Sequence, residues 1–168
     1  PFFNPNTIMG NGIPNDDHVT TANINTITWL NLGGYGITDM TGIEGFTALE
    51  YLDCWLNQFT NLDLSQNFNL IGLECYWGQI SDLNVSGLTN LTYLWCEDNQ
   101  IDSLDVSSNI NLSSLMCFNN NLSFLNTNGA ESLSSLFCEN NNLTNLDLST
   151  NNNLTYVSCN ANQLINLN

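Results

Sequence analysis

The chain has 168 residues with 16 Asp and Glu but no Lys or Arg, which gives a formal net charge of −16 and a pI near 4.1. The acidic content is ordinary, so the charge comes from missing cations, and Asn, at 32 residues, fills the polar surface. Without cations the chain cannot neutralise phosphates, which excludes nucleic-acid binding, disfavours anionic lipid surfaces and leaves stability to apolar packing and amide hydrogen bonds.

Residues 1 to 26 hold all three prolines, Pro1, Pro5 and Pro14, and the single histidine, His18. This segment is expected to cap the array that follows, because the first unit of a stacked repeat would otherwise expose its apolar flank. Within it the stretch MGNGIPNDDHVTT carries oxygen side chains at Asn11, Asn15, Asp16 and Asp17, the ligand type that calcium takes. The spacing lacks the distal glutamate of the twelve-residue calcium loop, so the stretch reads as a polar turn, with a bound calcium ion as the alternative. No other cofactor is expected. His18 has no serine or cysteine at a meaningful spacing and reads as a surface residue. No 18-residue apolar run is present, so no membrane insertion is expected.

From Ile27 onward the chain repeats. Its six cysteines, Cys54, Cys75, Cys96, Cys117, Cys138 and Cys159, recur every 21 residues. Metal sites and disulfide frameworks have no reason for such even spacing, whereas stacked coils do. Aligned on the cysteines, the coils read LxxLxCxxNxLxxL, starting at Leu49, Leu70, Leu91, Leu112, Leu133 and Leu154. A weaker opening coil, one residue longer, runs through Ile27, Leu30, Leu32, Ile37 and Met40. The chain stops at Leu167 and Asn168, part-way through a coil, and is read as a piece of something longer.

This pattern resembles the leucine-rich repeat, whose periods run from about 20 to 29 residues. The stretch DDHVTTANINTITWLNLGGYGITDMTGIEGFTALEYLDC, followed by LDLSQN and LDVSSN, is similar to the leucine-rich repeat regions of large secreted proteins of the Bacteroidota, especially flavobacteria. The resemblance implies a horseshoe solenoid: a parallel β-sheet on the concave side, short strands or irregular backbone on the convex side, and few helices. The division is a cap over 1–26 and an array of about seven coils over 27–168, the last incomplete. It also implies secretion and display at the cell surface.

Strand side chains alternate, so the second leucine and the cysteine of LxxLxC face the same way, into the interior. Asn57, Asn99, Asn120, Asn141 and Asn162 then occupy a slot where an inward amide can bond the backbone of adjacent coils; Tyr35 and Gly78 interrupt it. Phe59, Ile80, Ile101, Leu122, Leu143 and Leu164 follow, and then Leu62, Leu83, Leu104, Leu125, Leu146 and Leu167. The cysteine column reads as buried free thiols, with pairing between neighbours or a metal as the other options.

A second period lies inside the first. Coils alternate between LDLSQNFN, LDVSSNIN and LDLSTNNN on one hand and LNVSGLTN and LNTNGAES on the other, so the duplicated unit spans two coils. The outward slot reads Asp63, Asn84, Asp105, Asn126, Asp147. Alternation keeps carboxylates about two strand spacings apart, near a Debye length at physiological salt; simple copying of a two-coil unit explains it equally well.

Function is sought where the aromatic residues fall. The outward strand positions carry Trp29, Tyr51, Tyr93 and Tyr156, then Trp95, Met116 and Phe137, then Trp55, Tyr76 and Phe118, with Trp77 adjacent. Asp53, Glu74, Glu97, Asp98 and Glu139 are interspersed. The residues expected to bind a ligand are Trp55, Trp77, Trp95, Tyr76, Tyr93, Phe118 and Phe137, with Glu74 and Glu97. Exposed aromatic patches mark interaction sites, although rings also simply pack on one another between strands. Flat rings beside carboxylates suit either a glycan or a protein bearing Lys or Arg. Carboxylate pairs such as Glu97 and Asp98 lie on an open surface with no evident cleft to desolvate them, so no catalysis is expected. The leading expectation is an extracellular, non-catalytic adhesion or recognition module. The alternative is a filament or surface-layer subunit that self-associates by end stacking or side contacts. Six Asn-x-Ser/Thr matches, at Asn84, Asn90, Asn111, Asn121, Asn142 and Asn153, follow mainly from the repeat consensus.

Overall fold

The computed structural model describes residues 24–168; residues 1–23 of the segment expected to form a cap, including the calcium candidates Asn11, Asn15, Asp16 and Asp17, lie outside them. Each coil contributes one three-residue strand to a common sheet, and each coil after the first adds a second short strand across the coil. In chain order these are β1 (Trp29–Asn31), β2 (Tyr51–Asp53), β3 (Asn61–Asp63), β4 (Gly72–Glu74), β5 (Asp82–Asn84), β6 (Tyr93–Trp95) and β7 (Ser103–Asp105). They continue as β8 (Ser114–Met116), β9 (Phe124–Asn126), β10 (Ser135–Phe137), β11 (Asn145–Leu146), β12 (Tyr156–Ser158) and β13 (Asn166–Leu167). One 3-10 turn, Ile43–Gly45, stands in the first coil. The result is a parallel-strand solenoid of about seven turns.

The main sheet has seven parallel strands in the order β1-β2-β4-β6-β8-β10-β12. Leucine pairs with leucine along its middle, Leu52 with Leu73 and Leu73 with Leu94. The extra residue of the first coil is absorbed between Met40 and Ile43. Leu30 pairs with Leu52 at a spacing of 22, yet the amide of Asn67 reaches the Ile43 carbonyl over the 24 residues by which Asn109 reaches Val85.

The interior is built of stacked columns. The inward leucines Leu52, Leu73, Leu94, Leu115 and Leu136 are buried, as are Cys54, Cys75, Cys96, Cys117 and Cys138. All six cysteines are free thiols, Cys159 being half-buried. Burial raises the pKa of the five buried thiols, to about 12 for Cys138, with Cys159 and Glu139 adding to the effect there. A thiol so held remains protonated and acts as a small apolar residue. A further inward column, Leu64, Val85, Val106 and Thr127, lies beyond the expected pattern.

The asparagine slot forms the expected ladder. Asn120 Nδ2 donates to the carbonyls of Cys96 at 3.0 Å and Cys117 at 3.2 Å, and its Oδ1 accepts from the Ile101 N–H at 3.0 Å. Asn57, Asn99, Asn141 and Asn162 repeat the arrangement. At Gly78 the ladder skips a rung, and a β-carbon there would lie 2.7 Å from Asn99 Oδ1.

A second buried amide column escaped the sequence reading. Asn67, Asn109 and Asn151 are buried, and each donates to two carbonyls of the preceding coil, Asn109 to Val85 at 3.0 Å and Leu88 at 2.9 Å. These residues stand in alternate coils, 42 residues apart, in the LDLSQN-type turns. The two-coil period reappears in the second strands, which pair only as β3-β5, β7-β9 and β11-β13. The outward Asp and Asn of this side make the same turn: Asp63, Asn84, Asp105, Asn126 and Asp147 each accept the N–H two residues on. Asn126 also donates to Asp105 Oδ1 at 3.2 Å, an attraction unavailable to a column of aspartates alone.

Candidate functional site

The outer face of the main sheet carries eight of the nine residues expected from the sequence to bind a ligand, and the ninth, Trp77, stands at the corner beside it. They come from four adjacent strands, β2, β4, β6 and β8, with Phe137 on β10. The strands are three residues long, so each coil offers two outward side chains within its strand and a third just beyond it.

The rings are more tightly engaged than an open patch. Trp55 and Tyr76 stack nearly parallel, 5.8 Å apart and 4° from coplanar, and Tyr76 meets Trp77 edge-on at 5.2 Å. Tyr93 contacts Trp95 at 5.3 Å and stands 6.5 Å from Tyr51. Two glycines make room for this. A side chain at Gly33 would run into the Trp55 indole, and one at Gly72 into the Tyr93 ring. Trp55, Tyr76, Tyr93, Trp95, Phe118 and Phe137 are therefore half-buried, and packing between coils accounts for part of their role.

Trp77 differs from them at 55% exposure. Its backbone is in the left-handed region at φ 52°, a conformation shared by Leu56, Asp98, Asn119, Asn140 and Ala161, one residue in each coil. The first coil places Gly34 there at φ 74°; among the others the backbone cost is about 1–2 kcal/mol at Leu56, Trp77 and Ala161 and smaller at Asp98, Asn119 and Asn140, whose side chains tolerate the conformation. The side chains at this corner form an outer hydrogen-bonded row. Trp77 Nε1 donates to Asp98 Oδ2 at 3.1 Å, Asn119 donates to Asp98 Oδ1 at 2.8 Å, and Asn140 donates to Asn119 Oδ1 at 2.8 Å.

Four carboxylates stand among the rings, Asp53, Glu74, Glu97 and Glu139. Asp53 and Glu74 are direct partners in the sheet register, and Glu97 lies one strand further on, two residues along. Glu97 is only 9% exposed, between the coil positions of Tyr76 and Phe118. Its Oε2 has no hydrogen-bond partner, and neither has the Oε2 of Glu139, two coils on at the same position, or the buried indole N–H of Trp95. Burial raises the Glu97 pKa to about 7; a backbone hydrogen bond opposes the rise, and the charges of Asp98 and Glu74 add to it. Glu74 is raised by burial and then by Asp53. The Tyr93 phenol is raised to about 12 by burial, then by Glu74, Asp53 and Tyr51. The face thus concentrates negative charge in an apolar frame. At its edge Asp53 accepts from the Trp29 indole at 3.0 Å and from Asn31 at 3.2 Å.

A groove of about 430 Å³ lies along the coil edge, lined by Glu50, Asn69, Ile71, Asn90, Thr92 and Asn111. Its amides and hydroxyls are engaged structurally, for instance Asn69 with the Thr47 carbonyl at 2.9 Å and Thr92 with that of Ile71 at 2.9 Å. Among the described residues no His, Cys, Asp and Glu group converges to hold a metal ion, and no helix is long and apolar enough to cross a membrane.

Strand order, leucine interior and asparagine ladder define a leucine-rich repeat solenoid, and solved leucine-rich repeat proteins superpose on it. No family model matches the sequence. A 51-residue stretch, 30% of the chain, is 45% identical to internalin J of Listeria monocytogenes serotype 4b (strain F2365) and spans 6% of that protein. The functional domain of InlJ from Listeria monocytogenes, described as including a cysteine ladder, matches over 89% of this chain and 43% of that one, at 32% identity and a TM-score of 0.58. A leucine-rich repeat protein of Leptospira interrogans matches over 86% of this chain and 39% of that one, at 27% identity and a TM-score of 0.77. Internalin C2 of Listeria monocytogenes matches over 87% and 76%, at 25% identity and a TM-score of 0.61. The chain therefore spans less than half the length of the first two of these solved relatives.

Proposed function

We propose that this chain is a non-catalytic recognition module of a secreted or cell-surface protein, and that it binds a macromolecular ligand through the outer face of its main sheet. The observation that carries the reading is the conjunction of stacked rings and four carboxylates on that face with an exposed Trp77 at its corner, and no Lys or Arg anywhere in the sequence to balance them. Seven strands tied by amide ladders hold these groups in fixed relation, so little conformational entropy is lost when a ligand docks. The likeness to internalins supports the same reading, as does the cysteine ladder shared with the InlJ domain.

Self-association through this face is disfavoured by the same chemistry. Two copies would set carboxylate against carboxylate with no Lys or Arg between them.

The test uses Trp77→Ala, which removes the exposed ring and leaves the half-buried rings packed. Wild type and variant are screened against a displayed peptide library and a panel of neutral and acidic polysaccharides. A ligand that loses about tenfold or more in affinity with the variant, at an unchanged thermal midpoint, supports the reading; loss of about 2 kcal/mol or more is typical of an interface anchor. Ligands bound equally by both proteins would refute it. Trp95 is a poorer probe than its sequence position suggests, because its ring packs on Tyr93 and its removal would disturb the sheet.

A further inference from the structure

We propose that the groove lined by Glu50, Asn69, Ile71, Asn90, Thr92 and Asn111 is a second binding site, and that its ligand is a linear, neutral oligosaccharide. The groove runs past the N-terminal ends of β2, β4 and β6, whereas Trp77 follows the C-terminal end of β4, and neither site needs the other.

The groove is built by repetition. One wall takes Asn69, Asn90 and Asn111 from three successive coils, and the other takes Glu50, Ile71 and Thr92, the residues immediately before β2, β4 and β6. Those strands pair in register, so each wall advances by one strand spacing, about 4.8 Å, per coil. The amide column is interrupted in the next coil, where Ser132 takes the place of asparagine.

The amide wall has hydrogen-bonding capacity to spare. Asn69, Asn90 and Asn111 each donate one Nδ2 hydrogen to a carbonyl of the preceding coil, those of Thr47, Phe68 and Thr89, at 2.9, 3.2 and 2.9 Å. That bond fixes the side chain and leaves the second hydrogen and the Oδ1 of each exposed amide for a ligand. A donor beside an acceptor, repeated three times, matches sugar hydroxyls, each of which both donates and accepts. Across the groove Ile71 offers an apolar surface for the C–H face of a sugar ring. Glu50 in the first coil and the Thr92 hydroxyl in the third, whose hydrogen goes to the Ile71 carbonyl, add acceptors.

Charge and step narrow the ligand class. With a formal net charge of −16 and no Lys or Arg, the chain has nothing to pair with a uronate, sulfate or phosphate, so an acidic glycan is repelled. An extended peptide rises about 3.3 Å per residue, so its polar groups fall out of step with the coils. A linear chain of β-1,4-linked pyranose rings advances by nearly one coil spacing per ring, so consecutive rings can each meet one asparagine.

The probes are β-1,4-linked glucose oligomers of two to five rings, with tetragalacturonate as the acidic control and a seryl peptide of similar length as the extended-peptide control. Binding to the whole chain is followed by NMR through the side-chain amide signals of Asn69, Asn90 and Asn111. Asn90→Ala, in the middle of the groove, is compared with Asn153→Ala, which loses the equivalent structural bond, to the Glu131 carbonyl at 2.8 Å, in a coil outside the groove. The expected result is saturable binding that strengthens with each ring up to three and then levels off, with shifts of all three asparagine signals. Asn90→Ala should lower the affinity about threefold to tenfold, and Asn153→Ala by less than about twofold. Circular dichroism verifies that both variants fold, and a wild-type titration in which the three asparagine signals stay still overturns the proposal whatever the variants do. Equal weakening in both variants would also overturn it, as would affinity independent of ring number, or binding of tetragalacturonate or the peptide as tight as that of the neutral tetramer. Failure of every glucose oligomer to bind sinks the groove and leaves the ring-bearing face untouched. An oligomer weakened by Asn90→Ala and not by Trp77→Ala belongs to the groove and does not count against that face; one weakened by Trp77→Ala alone belongs to the face, and the groove falls.

Discussion

Replacing Asn120 by alanine isolates the value of one rung of the amide ladder. The side chain makes two well-formed donor bonds, to the Cys96 and Cys117 carbonyls, and accepts one from the Ile101 N–H. After truncation the two carbonyls are not stranded, because Asn99 still donates to Cys96 at 3.1 Å and Asn141 to Cys117 at 3.0 Å. The Ile101 amide has no such second partner among the rungs, and it is buried. An orphaned buried N–H costs about 1–3 kcal/mol and each lost net bond about 1, giving a destabilisation of about 2–4 kcal/mol, with some overlap between the contributions. Asn162→Ala provides the internal reference. The same bonds there are only partly buried, so water can replace the amide and the loss should stay near 1 kcal/mol. Urea unfolding followed by tryptophan fluorescence reads both, at an unchanged denaturant slope. Asn120→Asp should cost more than alanine, since it keeps the acceptor but turns oxygen toward two carbonyls. If Asn120→Ala loses no more than Asn162→Ala, the ladder is not what binds the coils together, and the leucine columns alone must be.

Glu97→Gln should stabilise the fold at about pH 8 and not at about pH 4. The folded pKa near 7 lies above the unfolded value, so the ionised side chain's penalty is absent below about pH 4.3, builds between there and pH 7, and is constant above; its size is on the order of 2 kcal/mol. Thermal melts across pH check this, and a wild-type profile with the same slope as the variant would contradict it. Asp63 and Asp147 act in the opposite sense. The Ser65 and Ser149 hydrogen bonds lower their pKa, so the stability they contribute is present above about pH 4 and is lost on further acidification; Asp63→Asn should flatten that acid limb. Leu56→Asn, at a left-handed corner, should gain about 0.5–1 kcal/mol in urea unfolding, because Asn tolerates that conformation better than Leu. Asn109→Ala should lose about 2 kcal/mol, as the Val85 and Leu88 carbonyls forfeit their amide donor.

Much of this was legible in the sequence because the repeat writes each column at a fixed spacing. Leucine, cysteine and asparagine at constant intervals dictate which side chains stack, and the sheet register, interior and ladder follow. The column of Asn67, Asn109 and Asn151 was not legible. It skips every other coil, and the sequence LDLSQN looks like a turn with a polar end. The left-handed corners left only a partial trace, because Asp98, Asn119 and Asn140 are residue types that favour that conformation while Leu56, Trp77 and Ala161 at the same position are not. At the site, alternation put the rings and carboxylates on one face. The closeness of the rings depends on Gly33 and Gly72 in neighbouring coils, and the burial of Glu97 on flanking positions 21 residues away on either side. Those are relations between coils, and no single repeat contains them.

The pairing of the second strands in twos has a mechanical consequence. β5 is not joined to β7, nor β9 to β11, by a strand ladder, whereas β3-β5, β7-β9 and β11-β13 are joined. At those two seams the buried amides take the ladder's place, Asn109 donating to Val85 and Leu88 across β5 and β7 and Asn151 to Thr127 and Ala130 across β9 and β11. Strand bonds and side-chain amides thus alternate as fasteners along this side, and the main sheet runs unbroken opposite them. Under tension along the stack no junction is left open, and removing Asn109 or Asn151 should create the place where the coils first part.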